Sequence, residues 1–254
     1  MTSLHQQLVR DVVALTGADA PDWSDADSPT LQPTAETPIY LIGVIGGKDV
    51  GKSSLVNAIL GQAVAAVSNH GEGTSRALAY VHESDAHAAT AMLETHAPGS
   101  FDLVRHTIDD ARGRVLLDLP DIDSVWDAHI DLTRRMLRSM LFPVWVQSIE
   151  KYADRAPLAM LARVAAGNAP QNFVFVLTKA DQLVKRHGRD AMDELKADFA
   201  SRAARACQIE QRPSVYAIDG LSGRGFDLES LRHALLEKRS AKSCLLYTSD
   251  AADE

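Results

Sequence analysis

Eight consecutive residues have the types and spacing needed to hold a polyphosphate. Gly46, Gly47, Lys48, Asp49, Val50, Gly51, Lys52 and Ser53 satisfy the pattern G-x-x-x-x-G-K-[ST]. Glycine at Gly46 and Gly51 lets the backbone approach phosphate oxygens closely. The N–H groups of Lys48 to Ser53, with the positive end of a helix beginning near Lys52, then point at a β-phosphate. Lys52 is placed to bridge β- and γ-phosphates, and the Ser53 hydroxyl is a hard oxygen ligand for Mg²⁺. The loop residues expected to touch nucleotide therefore run from Gly46 through Ser54, and Lys52 is expected to carry catalytic charge.

Such a loop works only between a strand and a helix, and the flanking residues supply both. Ile39 to Ile45 is an apolar strand, and Lys52 to Leu60 has the pattern of an amphipathic helix. Further along, strands are predicted at Leu78–His82, Arg114–Leu119, Leu141–Val146, Asn172–Leu177 and Ser214–Ile218. Helices are predicted near Ala128–Met140, Asp154–Ala166, Asp190–Ala206 and Asp227–Leu236. This alternation predicts an α/β fold, a three-layer, doubly wound and mainly parallel sheet covered by helices on both faces. Between His82 and Arg112 the pattern is weak and predicts an irregular helix or hairpin connection.

Ahead of this domain, residues 1–17 read as an amphipathic helix. Residues 18–37, with Pro21, Pro29 and Pro33, read as a linker, so the nucleotide-binding domain is expected over 38–239. The final stretch, Cys244 to Glu254, has no periodicity and looks like a translated sequencing adapter; it is set aside, and the natural protein is expected to continue past Ser243. The chain has 254 residues, 46% of them hydrophobic, and a net charge of −8. That charge gives nonspecific nucleic-acid binding little electrostatic support. No apolar run is long enough to span a bilayer, Met1 to Leu15 lacks a signal-peptide layout, and Cys207 and Cys244 stand in no metal-ligand spacing. A cytoplasmic chain is the expectation.

The strand RVLL delivers Asp118, Leu119, Pro120 and Asp121, and the strand FVFVL delivers Thr178, Lys179, Ala180 and Asp181. With these motifs in this order the chain resembles the translation-factor-related class of P-loop GTPases, the group that contains Era-like, TrmE-like and dynamin-like proteins. The resemblance implies that GTP and GDP are the nucleotides and Mg²⁺ the metal. In the family's D-x-x-G motif, Asp118 would hold Mg²⁺ through water, and the backbone N–H at Asp121 would meet the γ-phosphate. Asp121 stands where the family has glycine, and a carboxylate beside phosphate is unfavourable unless it points away. In the family's N-K-x-D motif, Asp181 would accept two hydrogen bonds from guanine and Lys179 would lie over the base, with Thr178 replacing asparagine. Asp219 and Gly220 fall where the family's base-backing loop offers an N–H to the guanine O6. Thr74, in GEGTSR, would be the switch threonine that meets Mg²⁺ and γ-phosphate and takes part in catalysis.

Hydrolysis is less fully equipped. The family commonly has a water-orienting glutamine where this chain has Ile122, which cannot do that work. Potassium-using relatives carry asparagine where this chain has Asp49, which argues against K⁺. Arg76 is expected in a surface salt bridge in preference to a phosphate contact. Asp123 and Ser124 could organise water, pin the second switch or cap the next helix. His82 and His87 read as exposed, and Glu150 to Arg155 as a solvated face. Slow intrinsic turnover is expected. The alternative is a GTP-binding regulatory module with little hydrolysis that docks a partner. Likeness to dynamin-like proteins implies a homodimer through this domain or its flanking helices, and peripheral membrane association through a C-terminal continuation. Ribosome- or RNA-linked work stays open.

Overall fold

The computed structural model describes residues 39–65, 76–122, 127–137, 139–166, 172–219 and 225–236. The expected N-terminal helix and linker, Thr74, Asp123, Ser124, Gly220 and the segment 244–254 lie outside the described residues. All described residues belong to the unit from Pro38 to Glu254.

In chain order the elements are β1 (Tyr40–Gly46), α1 (Lys52–Leu60), β2 (Ala77–His82), α2 (Ala86–His96), β3 (Phe101–His106) and β4 (Arg114–Asp118). They continue with α3 (Asp127–Leu137), β5 (Met140–Ser148), α4 (Arg155–Ala165), β6 (Val174–Thr178), α5 (Ala180–His187), α6 (Asp190–Cys207), β7 (Val215–Ala217) and α7 (Leu228–Leu236). The seven strands form one sheet in the order β3-β2-β4-β1-β5-β6-β7. Every pairing is parallel except β2 with β4. The expected three-layer, mainly parallel architecture is therefore the observed one.

Alternation along each strand splits the core. Leu41 and Ile45 of β1, Val115 and Leu117 of β4, and Phe175 and Leu177 of β6 pack with buried residues of α2, α3, α4 and α6. The intervening Ile42, Val44, Leu116 and Val176 pack with α1 and α7 on the opposite face. Strands buried on both faces read as continuous apolar runs, which is why the inner ones were legible.

Two regions differ from expectation. The stretch between His82 and Arg112 forms the regular helix α2 and the edge strand β3, not an irregular connection. Its pattern is faint because β3 is an edge strand with a mixed burial pattern, and α2 buries mainly alanines and one leucine, Leu93. The short helix α5 also went unpredicted, since it buries only Ala180. His82, expected at the surface, is 2% exposed. It ends β2 opposite His106 at the end of β3, ring centroids 5.9 Å apart; of the histidine pair only His87 is exposed.

The centre of the sheet is tight at Gly43. A Cβ there would run into Sδ and Cε of Met140, the residue that begins β5. Gly43→Ala must displace the flexible end of the Met140 side chain and should therefore destabilise the domain by about 1 kcal/mol, the low end of the cost of overpacking a core. In a Met140→Ala background the same change should cost clearly less, a coupling that denaturant unfolding of the four proteins of the cycle will measure.

Candidate functional site

The parallel strands β1, β4, β5, β6 and β7 present their carboxyl ends along one edge of the sheet, the edge where ligands bind in open α/β sheets. β1 exits there through Gly46, where a Cβ would lie 2.6 Å from the Val146 carbonyl oxygen. Only glycine lets β1 leave so close to β5. The loop then turns through two left-handed residues, Asp49 at φ 61° and Gly51 at φ 93°. Aspartate is among the few side chains that tolerate this region. Gly51 caps α1, its carbonyl accepting from Leu55 N–H at 2.9 Å. No side chain caps the helix start, which suits an end whose N–H groups face an anion.

Lys52 is 8% exposed. Its ammonium donates to the carbonyls of Gly46 at 3.3 Å and Gly47 at 3.0 Å and forms an ion pair with the Asp121 carboxylate. Asp118 ends β4 beside Val44 of β1, and its Oδ2 accepts from the Ser53 hydroxyl at 2.8 Å. Burial pushes the Asp118 carboxyl above the ordinary range, the Lys52 charge and the Ser53 hydrogen bond pull it down, and Asp121 adds to the rise. The Asp121 carboxylate, at the position where the resemblance has glycine, points at the phosphate-loop lysine. The next residue, Ile122, is 1% exposed and donates its N–H to the Gly46 carbonyl at 3.4 Å, so its side chain belongs to the core.

At the end of β6 the fully buried Thr178 hydroxyl donates to the Val50 carbonyl at 2.6 Å. This bond joins the turn after β6 to the phosphate loop. Lys179 is left-handed at φ 61°, and its ammonium donates to Glu150 Oε2 at 2.6 Å. That hydrogen bond holds the Glu150 carboxyl below its usual range. Asp181 lies in the first turn of α5 and accepts from Lys185 at 2.9 Å. Ala180 N–H donates to the Ile218 carbonyl at 3.1 Å, and Ile218 N–H donates to the Leu177 carbonyl at 2.8 Å. These bonds draw the turn after β7, with Asp219, against Thr178–Asp181. Asp219 also contributes to raising the Lys185 ammonium, after the Asp181 hydrogen bond and charge.

The expected residues of the phosphate loop, Asp118, Asp121, Thr178, Lys179, Asp181 and Asp219 thus lie at the strand ends, turns and helix starts of one sheet edge; Thr74 and Gly220 lie outside the described residues. Two participants escaped sequence reading. Glu150 is exposed, as the solvated-face expectation has it, and its pairing with Lys179 carries no local sequence signal. Asn57 gave no signal: its Oδ1 accepts from Val64 N–H at 2.8 Å and Ala65 N–H at 2.6 Å, and its Nδ2 donates to the Ala65 carbonyl at 2.9 Å. It therefore pins the chain entering segment 66–75. Arg76 pins the exit, donating to the Phe101 carbonyl at 2.6 Å and pairing with Asp102 at 3.3 Å. The expected surface salt bridge is the one observed.

A phosphate loop between the central strand and its helix, with a buried aspartate at the end of the neighbouring strand, defines a P-loop nucleotide-binding domain. Residues 41–152 match the family described as 50S ribosome-binding GTPase. Over that segment the chain is similar to P-loop GTPases of the translation-factor-related class. No curated protein matches the chain. Among solved structures, one of an oligomerised bacterial dynamin pair is 14% identical, with TM-score 0.58, covering 84% of this chain and 40% of that one. A dimerization-deficient mutant of Toc33 from Arabidopsis thaliana is 13% identical, with TM-score 0.56 and coverage of 91% and 90%. Era in complex with MgGDPNP and a piece of 16S ribosomal RNA is 15% identical, with TM-score 0.50 and coverage of 83% and 57%. At these identities the likeness is one of fold. The chain spans less than half the length of the dynamin structure.

The Thr178 hydroxyl can be tested alone. Thr178→Val keeps shape but leaves the Val50 carbonyl without this donor, and should cost about 1–2 kcal/mol in chemical denaturation, the usual penalty for orphaning a buried polar group. Thr178→Ser should keep most of the stability.

Proposed function

We propose that this domain, over about residues 38–239, is a Mg²⁺-dependent GTP-binding switch that hydrolyses GTP to GDP and phosphate slowly. One observation carries the reading: the Thr178–Val50 hydrogen bond ties the residues that would read the base to the loop that would hold the phosphates. Solved relatives of the fold support it, since Toc33 has been seen with Mg²⁺ and GMPPNP and Era with MgGDPNP.

In this reading the backbone of 46–54 wraps the phosphates and Lys52 neutralises their charge. Asp181 accepts from guanine once it exchanges Lys185 for the base, and Lys179, steadied by Glu150, lies against the base plane. The turn at Asp219 and Gly220 backs the base. Ser53 and Asp118 are adjacent hard oxygens, a donor set that fits Mg²⁺, with Thr74 as a further ligand. When bound, that ion offsets the charge of the phosphates. Ile122, committed to the core, cannot orient water. Turnover is therefore slow in the isolated chain, and hydrolysis depends on backbone-held water, on a residue such as Thr74, or on a second protein. Dimerisation through the domain belongs to this reading, supported by the oligomerised bacterial dynamin among the fold relatives; peripheral membrane association is the corresponding proposal for the longer protein.

A second reading, a GTP-binding module that docks a partner and hydrolyses little, is favoured by the buried Ile122 and by Asp121 facing Lys52. Calorimetry and phosphate release separate the two. GTP and GDP should bind, with ATP weaker by a factor on the order of 10⁴, the discrimination expected when a wrong base leaves buried polar groups unpaired. Asp181→Asn should collapse that preference. Equal affinity for ATP would end the proposal. Rapid phosphate release by the isolated monomer in sodium would contradict slow turnover, whereas none under any condition, dimerised or with membrane, would select the regulatory module.

A further inference from the structure

The contact between Asp121 and Lys52 has no place in the expected role of either residue. An ammonium has three N–H donors. Those of Lys52 have three acceptors: the Gly46 carbonyl, the Gly47 carbonyl and the Asp121 carboxylate. Both partners are shielded from solvent, at 8% and 23% exposure, so the pair is screened far less than a surface ion pair. Two of the acceptors are backbone carbonyls at the end of β1 and the start of the loop. The third arrives from the segment after β4, and it carries the only negative charge of the three.

We propose that Asp121 is an internal anion that occupies the phosphate-binding lysine and is exchanged for a nucleotide phosphate. Resting on the GTP-binding reading above, this makes Asp121 a determinant of nucleotide affinity. A phosphate approaching Lys52 must break a charge-assisted hydrogen bond and displace a like charge, both of which oppose binding. Because Lys52 meets the β-phosphate as well as the γ-phosphate, GDP suffices to displace the carboxylate.

The test compares the full chain with Asp121→Asn, which is isosteric and uncharged, and with Asp121→Gly, using Mg²⁺-GDP calorimetry and the unfolding temperature of the nucleotide-free proteins. Both variants should bind GDP at least about tenfold more tightly, the factor that corresponds to one charge-assisted hydrogen bond. Without nucleotide, both should unfold at a lower temperature than wild type, because shielded Lys52 has lost its directly bonded carboxylate and keeps only the charge of Asp118 nearby. Should Asp121→Gly fail to fold, Asp121→Asn decides. Equal or weaker GDP binding by the variants overturns the proposal and leaves the GTP-binding reading intact. Tighter binding without loss of nucleotide-free stability also overturns it, since a charge acting at a distance would do that. If none of the three proteins binds GDP, both the proposal and the reading fall.

Discussion

A nearly buried ammonium governs how this molecule is assembled at its working edge. Desolvating Lys52 is costly, and the cost is met only by oxygen atoms brought to it from separate parts of the chain. The Gly46 and Gly47 carbonyls are available because β1 ends in a loop that folds back over its own helix. The Asp121 carboxylate is available because β4 lies parallel to β1, Asp118 level with Val44, and the chain leaves β4 along the same edge. A one-residue slip between these strands would turn Asp118 toward the opposite face and uncouple Ser53 from it. The charge at Lys52 and the register at the centre of the sheet are therefore one constraint.

The same logic extends sideways. Parallel β5, β6 and β7 end on the edge where β1 and β4 end, so each contributes one polar group to the row: Glu150 just after β5, Thr178 at the end of β6 and Asp219 just after β7. Thr178 is the hinge of this arrangement, since its hydroxyl reaches the Val50 carbonyl across the gap between β6 and the phosphate loop. Asparagine, the residue the resemblance led one to expect there, offers an amide donor; threonine offers a hydroxyl that makes the same kind of bond and adds a methyl. That methyl lies where a Cβ on Gly51 would be 3.6 Å away.

What the sequence revealed and what it hid follow from the strength of local signals. The phosphate loop was legible because each of its positions answers a local backbone or charge requirement, and the inner strands because burial on both faces makes them uniformly apolar. The fold class followed from their alternation with helices. The strand β3 and helices α2 and α5 were not legible, because alanine-rich or half-exposed elements carry little periodic contrast. At the site, the residue types of Asp118, Asp121, Thr178 and Asp181 were evident, but their partners were not. Nothing local in the sequence says that Asp121 turns toward Lys52, that Lys179 engages Glu150, or that Asn57 closes the loop after α1. Those pairings link residues far apart in the chain and are decided by strand order and register.

The segment after β4 shows how a single residue step can separate anchoring from adjustment. Asp121 and Ile122 project in opposite senses, one toward the phosphate loop and the other into the core. Ile122 is held by burial and by its N–H to the Gly46 carbonyl, so the backbone here is tied to the end of β1. The Asp121 carboxylate, in contrast, is joined to the loop through its side chain, and a change of rotamer is enough to withdraw it from Lys52. Such a change is fast compared with rebuilding a loop. In the proposed exchange an incoming phosphate would meet a side-chain movement in place of a refolding step, with buried Ile122 keeping the backbone fixed.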